Sequence, residues 1–176
     1  YITFRTGGAI LTGLFFSLIF GETIINYLSS LQPKGQPIRI DGPERHIVEK
    51  AGTPTMGGML ILSSILVSVF IWCDLKNSFI WITLFSTFSF GLIGLIDDYK
   101  KIRYLKSDGL KAYTRIIAQI IFGFFIVLLI YYYLPNEYNT SLNFPFFKNL
   151  LLDLGIFFFP FAIFVIIGSA NAVNLT

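Results

Sequence analysis

The chain alternates long apolar runs, nearly free of charge, with short loops that hold most of its ionisable residues. A helix rises about 1.5 Å per residue, so roughly 20 apolar residues cross a hydrocarbon core about 30 Å thick. The runs have about this length, and they lack the strict alternation of membrane β-strands. The pattern therefore predicts an all-α, polytopic membrane bundle, with spans at about residues 7–28, 57–73, 78–96, 115–134 and 155–170.

Composition supports a membrane environment. Hydrophobic residues make up 55% of the chain and charged residues 13%, against about 25% charged in soluble domains. This balance excludes disordered chains, coiled coils and nucleic-acid-binding modules, so membrane lipids are an expected partner and nucleic acid is not. The single cysteine, Cys73, excludes an intrachain disulfide framework. We expect residues 1–176 to form one membrane domain.

The cations are distributed unevenly between the loops. Four lie between the first two predicted spans and six between the third and fourth, which places ten of the 13 Lys and Arg residues on one side. Cytoplasmic loops are enriched in Lys and Arg. The two basic loops are therefore predicted to be cytoplasmic, with the N-terminus on the opposite side.

The first basic loop ends in a segment rich in glycine and proline. Lys50 precedes the sequence GTPTMGG at residues 52–58. Glycines allow backbone N–H groups to approach a phosphate closely, and a lysine adds a point charge. The alternative is an ordinary loop that starts a helix, and both interpretations remain open on spacing alone. No Gly-Lys-Ser/Thr follows, so the segment is not a P-loop.

Two adjacent carboxylates, Asp97 and Asp98, end a neutral run of 20 residues. Acidic groups oppose the dipole at a helix C-terminus, and neighbouring carboxylates repel each other unless a cation or proton relieves them. Such oxygen ligands suit Mg²⁺, which commonly uses one or two carboxylates together with substrate phosphates. The alternative is an interfacial pair neutralised by Lys100 and Lys101.

Two asparagines lie near the end of the chain, after the fifth apolar run. Asn171 and Asn174 are three residues apart and would share one side of a helix. Their amides are suited to hydrogen bonds with a nucleobase or sugar. A helix cap followed by a turn explains the same residues equally well.

Three segments together, GTPTMGG at 52–58, GLIGLIDDY at 91–99 and NAVNLT at 171–176, resemble the phospho-N-acetylmuramoyl-pentapeptide transferases (MraY). These belong to the polyprenyl-phosphate N-acetylhexosamine-1-phosphate transferases. The resemblance implies a ten-helix enzyme of the bacterial inner membrane with a cytoplasmic active face, and it is compatible with a homodimer. Such an enzyme transfers phospho-MurNAc-pentapeptide from UDP-MurNAc-pentapeptide to undecaprenyl phosphate with Mg²⁺, giving lipid I and UMP for peptidoglycan synthesis.

The resemblance also implies catalytic roles for the carboxylate pair. Asp97 corresponds to the proposed base or activator for the lipid phosphate, and Asp98 supports it or the metal. Both are candidate metal ligands, with the main metal ligand expected beyond Thr176. Direct attack by the lipid phosphate and a route through a phospho-enzyme both remain open.

Five further residues are implied to bind substrate: Lys50, Thr55, Arg115, Asn171 and Asn174. Lys50 and Thr55 match positions that line the substrate cleft, and Asn174 matches an asparagine that contacts the nucleotide. Arg115 stands where the family commonly has a lysine, and a guanidinium has a different hydrogen-bonding geometry.

The family pattern continues after NAVNLT into segments that this sequence lacks. We therefore expect the chain to be the N-terminal half of such an enzyme and inactive alone. One alternative is a transferase for UDP-GlcNAc or a related sugar. Another is a transporter or structural membrane subunit, against which the scarcity of charged residues within the spans argues.

Overall fold

The computed structural model describes residues 1–32, 54–104, 109–136, 138–144 and 147–175. These residues form five α-helices and one β-hairpin. The helices are α1 (Ile2–Leu31), α2 (Gly58–Trp72), α3 (Ser78–Tyr104), α4 (Ala112–Tyr133) and α5 (Phe158–Leu175). The hairpin strands are β1 (Ser141–Phe144) and β2 (Phe147–Asp153), and the single turn of 3₁₀-helix Gly155–Phe157 leads into α5.

The predicted all-α, polytopic membrane fold is confirmed. Four helical segments in the described part of the chain are long and apolar enough to cross a membrane, namely α1, α3, α4 and Gly155–Val173. The fifth apolar helix, α2, has 15 residues. Helix α3 continues past its apolar run to Tyr104, so Asp97 and Asp98 lie inside the helix and not in the loop that follows it.

The first of two compact units covers Tyr1–Leu75 and Phe90–Ala112. Within it, α1 packs against α2 through small residues. A Cβ atom added at Gly13 would lie 3.3 Å from the Ser68 hydroxyl, and one at Gly21 would lie 3.7 Å from a Leu60 methyl group. Small residues of this kind let two helix backbones approach closely in a membrane, where no hydrophobic force drives the helices together.

Trp72, at the end of α2, is held against α1. Its indole N–H donates to the Thr12 hydroxyl at 2.9 Å, and its ring meets that of Phe4 edge to face at 5.8 Å. Arg5 donates a side-chain hydrogen bond to the carbonyl oxygen of Trp72. A Cβ at Gly8 would lie 2.5 Å from the indole, so the ring fits only because this position has no side chain.

The second unit covers Lys76–Ser89 and Tyr113–Thr176. Ile126 and Val127 of α4 are buried. A Cβ at Gly123 would lie 3.6 Å from Ile163 of α5. One turn earlier in α4, the Gln119 side chain accepts a hydrogen bond from the Asn171 amide of α5 at 2.8 Å. This polar link fixes the end of α5 to α4.

The hairpin β1–β2 was not predicted from the sequence. Its strands are antiparallel, with Ser141 opposite Asp153, and the register shifts between Asn143 and Phe144. The Asp153 carboxylate accepts hydrogen bonds from the Thr140 hydroxyl at 2.6 Å and from the Gly155 N–H at 2.9 Å. The two hydrogen bonds lower the pKa of Asp153 below its ordinary value, and the bond from Thr140 has the larger effect.

Candidate active site

The polar end of α3 carries the predicted carboxylate pair. The Asp97 side chain is 14% exposed and that of Asp98 is 28% exposed. The Lys101 ammonium lies 2.6 Å from one Asp97 oxygen and 3.0 Å from one Asp98 oxygen. One cation therefore bridges both carboxylates and relieves the repulsion expected between them. Lys101 also completes opposite-charge pairs at the three- and four-residue spacings typical of helix surfaces.

Backbone N–H groups from two other segments reach the same carboxylates. Asp97 accepts a hydrogen bond from the Leu110 N–H at 2.7 Å. Asp98 accepts one from the Met56 N–H at 3.3 Å. Residues that lie before α2 and residues that lie after α3 thus meet at the end of α3, within the first compact unit.

The segment that contacts Asp98 is held by α1. Gln32, which ends α1, donates its amide to the Thr55 carbonyl at 3.2 Å and accepts the Thr55 N–H at 2.9 Å. Met56 follows with a φ of 73°, a left-handed conformation that is uncommon outside glycine. The paired bonds to the buried Gln32 fix the backbone in the position from which Met56 contacts Asp98.

An apolar groove lies beside Asp98. It has a volume of about 290 Å³ and is lined by residues of α2, by the segment before it and by α3, among them Met56, Ile61, Leu62, Gly91 and Leu95. A Cβ at Gly91 would lie 2.6 Å from a Leu62 methyl group. The first glycine of GLIGLIDDY therefore lets α3 approach α2 where the groove forms. The result is an apolar surface that ends at a carboxylate.

The structure brings Thr55, Asp97 and Asp98 together in the first unit. Arg115, in the first turn of α4, belongs to the second unit. Its Nε atom is buried and, within the described residues, has no hydrogen-bond partner. Lys50 lies outside the described residues.

The two asparagines lie near the end of α5, in the second unit. The Asn171 amide donates to Gln119 and to the Ile167 carbonyl, each at 2.8 Å. Asn174 follows three residues later in the same helix. The bond to Gln119 connects α5 to α4, and the bond to Ile167 lies within α5. The Asn171 side chain therefore has a structural role between the two helices.

Sequence reasoning missed two contributors to the site, Gln32 and Leu110. Gln32 had no signal beyond being a polar residue after an apolar run. Of the two lysines that the sequence offered as neutralising charges, Lys100 and Lys101, the structure places Lys101 against both aspartates. The Leu110 contact uses a backbone N–H, which the identity of the residue does not reveal.

The carboxylate pair fits Mg²⁺ in part. Within the described ranges, no group of three or more Asp, Glu, His or Cys residues is arranged to hold a metal ion. Mg²⁺ nevertheless commonly binds through one or two carboxylates together with phosphates and water. Asp97 and Asp98 already share one cation, the Lys101 ammonium, so the pair attracts positive charge where a metal would bind.

Comparison with known families and proteins gives consistent matches along the whole chain. The model described as glycosyl transferase family 4 matches residues 80–176. The model described as phospho-N-acetylmuramoyl-pentapeptide-transferase signature 1 matches residues 50–62. The first match includes α4, α5 and all but the first two residues of α3, and the second includes Thr55, Met56 and the start of α2.

Curated relatives carry the name phospho-N-acetylmuramoyl-pentapeptide-transferase. The chain is 48% identical to one from Ruegeria sp. (strain TM1040), covering 100% of the chain and 49% of the relative. It is 52% identical to one from Rickettsia felis and 50% identical to one from Thermodesulfovibrio yellowstonii, covering 100% of the chain and 48% of each relative. The chain spans about half the length of the curated relatives it matches.

Proposed function

Because this chain belongs to glycosyl transferase family 4, we propose that the protein transfers phospho-MurNAc-pentapeptide from UDP-MurNAc-pentapeptide to undecaprenyl phosphate. The products are lipid I and UMP, which places the reaction in peptidoglycan synthesis. The observation that carries the proposal is the carboxylate pair at the end of α3, in contact with the Thr55–Met56 segment that the transferase signature matches.

The proposed location is the bacterial inner membrane, with the site on the cytoplasmic face. Several apolar helices and the named relatives make the protein a multi-pass membrane protein. The polar end of α3 also carries Lys100, Lys101 and Arg103. These cations lie between the third and fourth spans predicted from the sequence, and clustered cations beside a span favour the cytoplasmic side. The apolar faces of the helices would contact membrane lipids.

Two features of the site support this chemistry. Phosphoryl transfer depends mainly on positioning the reactants and on neutralising charge. In the proposed reaction an oxygen of the lipid phosphate bonds to the sugar-linked phosphorus, and the bond from that phosphorus to the UMP oxygen breaks. Asp97 would activate the lipid phosphate, and Asp98 would support Asp97. The apolar groove that ends at Asp98 suits an acceptor whose phosphate is attached to a hydrocarbon chain.

A Mg²⁺ ion is part of the proposal. Asp97 and Asp98 would hold it, and when bound it would supply neutralising charge to the substrate phosphates. Lys101 already shows that the pair accepts a cation between its two carboxylates.

The remaining candidate residues are proposed to bind the nucleotide sugar. Lys50 and Arg115 would supply positive charge to the phosphates. The Nε of Arg115, which has no hydrogen-bond partner among the residues that the structure describes, is a donor suited to such a contact. Thr55 would line the cleft beside Asp98. Asn174 would contact the nucleotide. Asn171, bonded to Gln119, would hold the end of α5 that carries Asn174.

The first prediction tests Asp97 by substitution in the full-length protein. Asp97→Asn removes the charge with little change in volume, so turnover should fall at least about a hundredfold. Formation of lipid I and release of UMP are measured in proteoliposomes with both substrates and Mg²⁺. Asp74→Asn, an exposed carboxylate just after α2, is the matched control and should retain normal turnover.

Two results would contradict the proposal. Near-normal turnover by Asp97→Asn, at equal membrane insertion, would remove Asp97 from the mechanism. Turnover by the unmodified protein with UDP-GlcNAc but not with UDP-MurNAc-pentapeptide would replace the donor, and the alternative sugar transferase would then be the function.

A further inference from the structure

The Gly109–Leu110 turn, which follows α3, contacts one oxygen of the Asp97 carboxylate, and a lysine contacts the other. The Leu110 N–H donates to Asp97 Oδ1 at 2.7 Å across 13 positions of sequence, and the Lys101 ammonium lies 2.6 Å from Oδ2. Each carboxylate oxygen therefore has its own partner. Hydrogen bonds to an ionised acceptor are roughly twice as strong as neutral ones. Together the two contacts fix the rotation of the carboxylate about its Cβ–Cγ bond.

Gly109 makes this approach possible. A Cβ at this position would meet the Asp97 carboxylate, with Cγ at 2.6 Å and the Asp97 carbonyl oxygen at 2.8 Å. Both distances are below 3.0 Å, which real Cβ contacts essentially never reach. The carbonyl oxygen belongs to the α3 backbone and cannot move aside as a flexible side chain would. Any other residue at 109 would therefore push the turn away from Asp97.

The other glycine near this end of α3 behaves differently. A Cβ at Gly94 would meet nothing within 4 Å, and the same is true of Gly7 in α1. The restriction at Gly109 is thus specific to its contact with the carboxylate.

We propose that the Gly109–Leu110 turn is a positioning element that holds the Asp97 carboxylate in the orientation required for phosphoryl transfer. The inference rests on the proposed function, because it concerns the residue proposed to activate the lipid phosphate. Neither Gly109 nor Leu110 is assigned a contact with substrate. Their effect passes through Asp97, and a displacement of about 1 Å at a reacting group can cost about a hundredfold in rate.

A purely structural role would give a different kinetic result. If the turn only connected α3 to α4, its disturbance would lower the amount of folded protein and leave the turnover of each folded molecule unchanged. A positioning role instead lowers kcat while the KM for the nucleotide sugar changes little. The split between kcat and KM, measured per folded molecule, therefore separates the two roles.

The second prediction concerns the Gly109→Ala substitution in the full-length protein. We expect kcat for lipid I formation to fall about 10- to 100-fold, with less than about a twofold change in the KM for UDP-MurNAc-pentapeptide. Gly7→Ala is the matched control, because it makes the same change where a Cβ meets nothing. A wild-type kcat for Gly109→Ala would overturn the proposal.

A second variant keeps the proposal testable if Gly109→Ala fails to fold. Replacing Leu110 by its α-hydroxy acid analogue, through cell-free synthesis into nanodiscs, exchanges the N–H for an ester oxygen and leaves the side chain unchanged. This exchange should lower kcat about tenfold or more. The same exchange at Ala112, whose N–H is the first of α4 and has no intrahelical acceptor, is the control. An unchanged kcat for the ester at 110 would overturn the proposal.

Failure of this inference is distinguishable from failure of the proposed function. If Asp97→Asn retains normal turnover, the role of Asp97 is wrong. If Asp97→Asn is inactive while both the alanine and the ester variants turn over normally, only the role of the turn is wrong.

Discussion

Lys101 follows Asp97 by four residues and Asp98 by three, the two spacings at which side chains meet on a helix surface. Its ammonium contacts one oxygen of each carboxylate. The two aspartates therefore share one positive partner. A single substitution at Lys101 removes this neutralising charge and leaves the repulsion between the two carboxylates in place. Because the pair is also proposed to hold Mg²⁺, a bound metal and Lys101 would serve the same electrostatic need.

The third prediction concerns this shared cation. Lys101→Met should lower the thermal unfolding midpoint of the Mg²⁺-free protein by a few degrees, because a partly exposed ion pair of this kind contributes about 1 kcal/mol. Added Mg²⁺ should raise the midpoint more in the variant than in the unmodified protein, since the metal replaces the missing charge. The midpoint is measured by the fluorescence of the tryptophans during heating.

Lys100→Met is the control for the third prediction, because it removes a neighbouring charge from the same turn of α3. If Lys101→Met and Lys100→Met had equal midpoints both with and without Mg²⁺, Lys101 would not be the counter-ion of the pair.

At the scale of helices and strands, the sequence predicts those features that depend on local composition. The apolar runs specified the helices, and the GLIGLIDDY motif identified the end of α3 as the important one. The hairpin was missed because Ser141–Phe144 alternates over only four residues and Phe147–Asp153 has no strict alternation of apolar and polar residues. Gln32 and Leu110 were missed because their contacts join residues 23 and 13 positions apart. Such contacts depend on packing, which no local pattern encodes.

The fourth prediction concerns the hairpin. The hydrogen bonds from Thr140 and Gly155 lower the pKa of Asp153 below its ordinary value of 3.8. The ionised carboxylate therefore stabilises the hairpin fully above that ordinary value, and the stabilisation is lost as the pH falls through the lower, folded value. Hydrogen–deuterium exchange of β2, corrected for intrinsic rates, should accelerate below about pH 4.

Asp153→Asn provides the comparison for the fourth prediction. It removes the titrating group and keeps a similar shape, so exchange in β2 should lose its dependence on pH in that range. Equal pH dependence in both proteins would show that another group controls the hairpin.

At the scale of the whole molecule, the distribution of cations predicts how the chain crosses the membrane. The fifth prediction places single cysteines in a Cys73→Ser background. A cysteine at Lys111 should react with an impermeant maleimide only from the cytoplasmic side, and one at Asn143 in β1 only from the outside. Both positions are exposed. The reverse pattern would invert the topology and place the carboxylate pair on the outer face.

The length of α2 bears on the depth in the bilayer at which the proposed transfer reaction would take place. Its 15 residues span about 22 Å, roughly 8 Å less than an average hydrocarbon core. A hydrophobic helix that is shorter than the hydrocarbon core is accommodated by local thinning of the bilayer, or by side chains of the adjoining segment that extend toward the headgroups. That adjoining segment is Thr55–Met56, which contacts Asp98. In the proposed function, bilayer thickness would therefore influence the height at which the nucleotide-sugar donor meets the phosphate of the lipid acceptor.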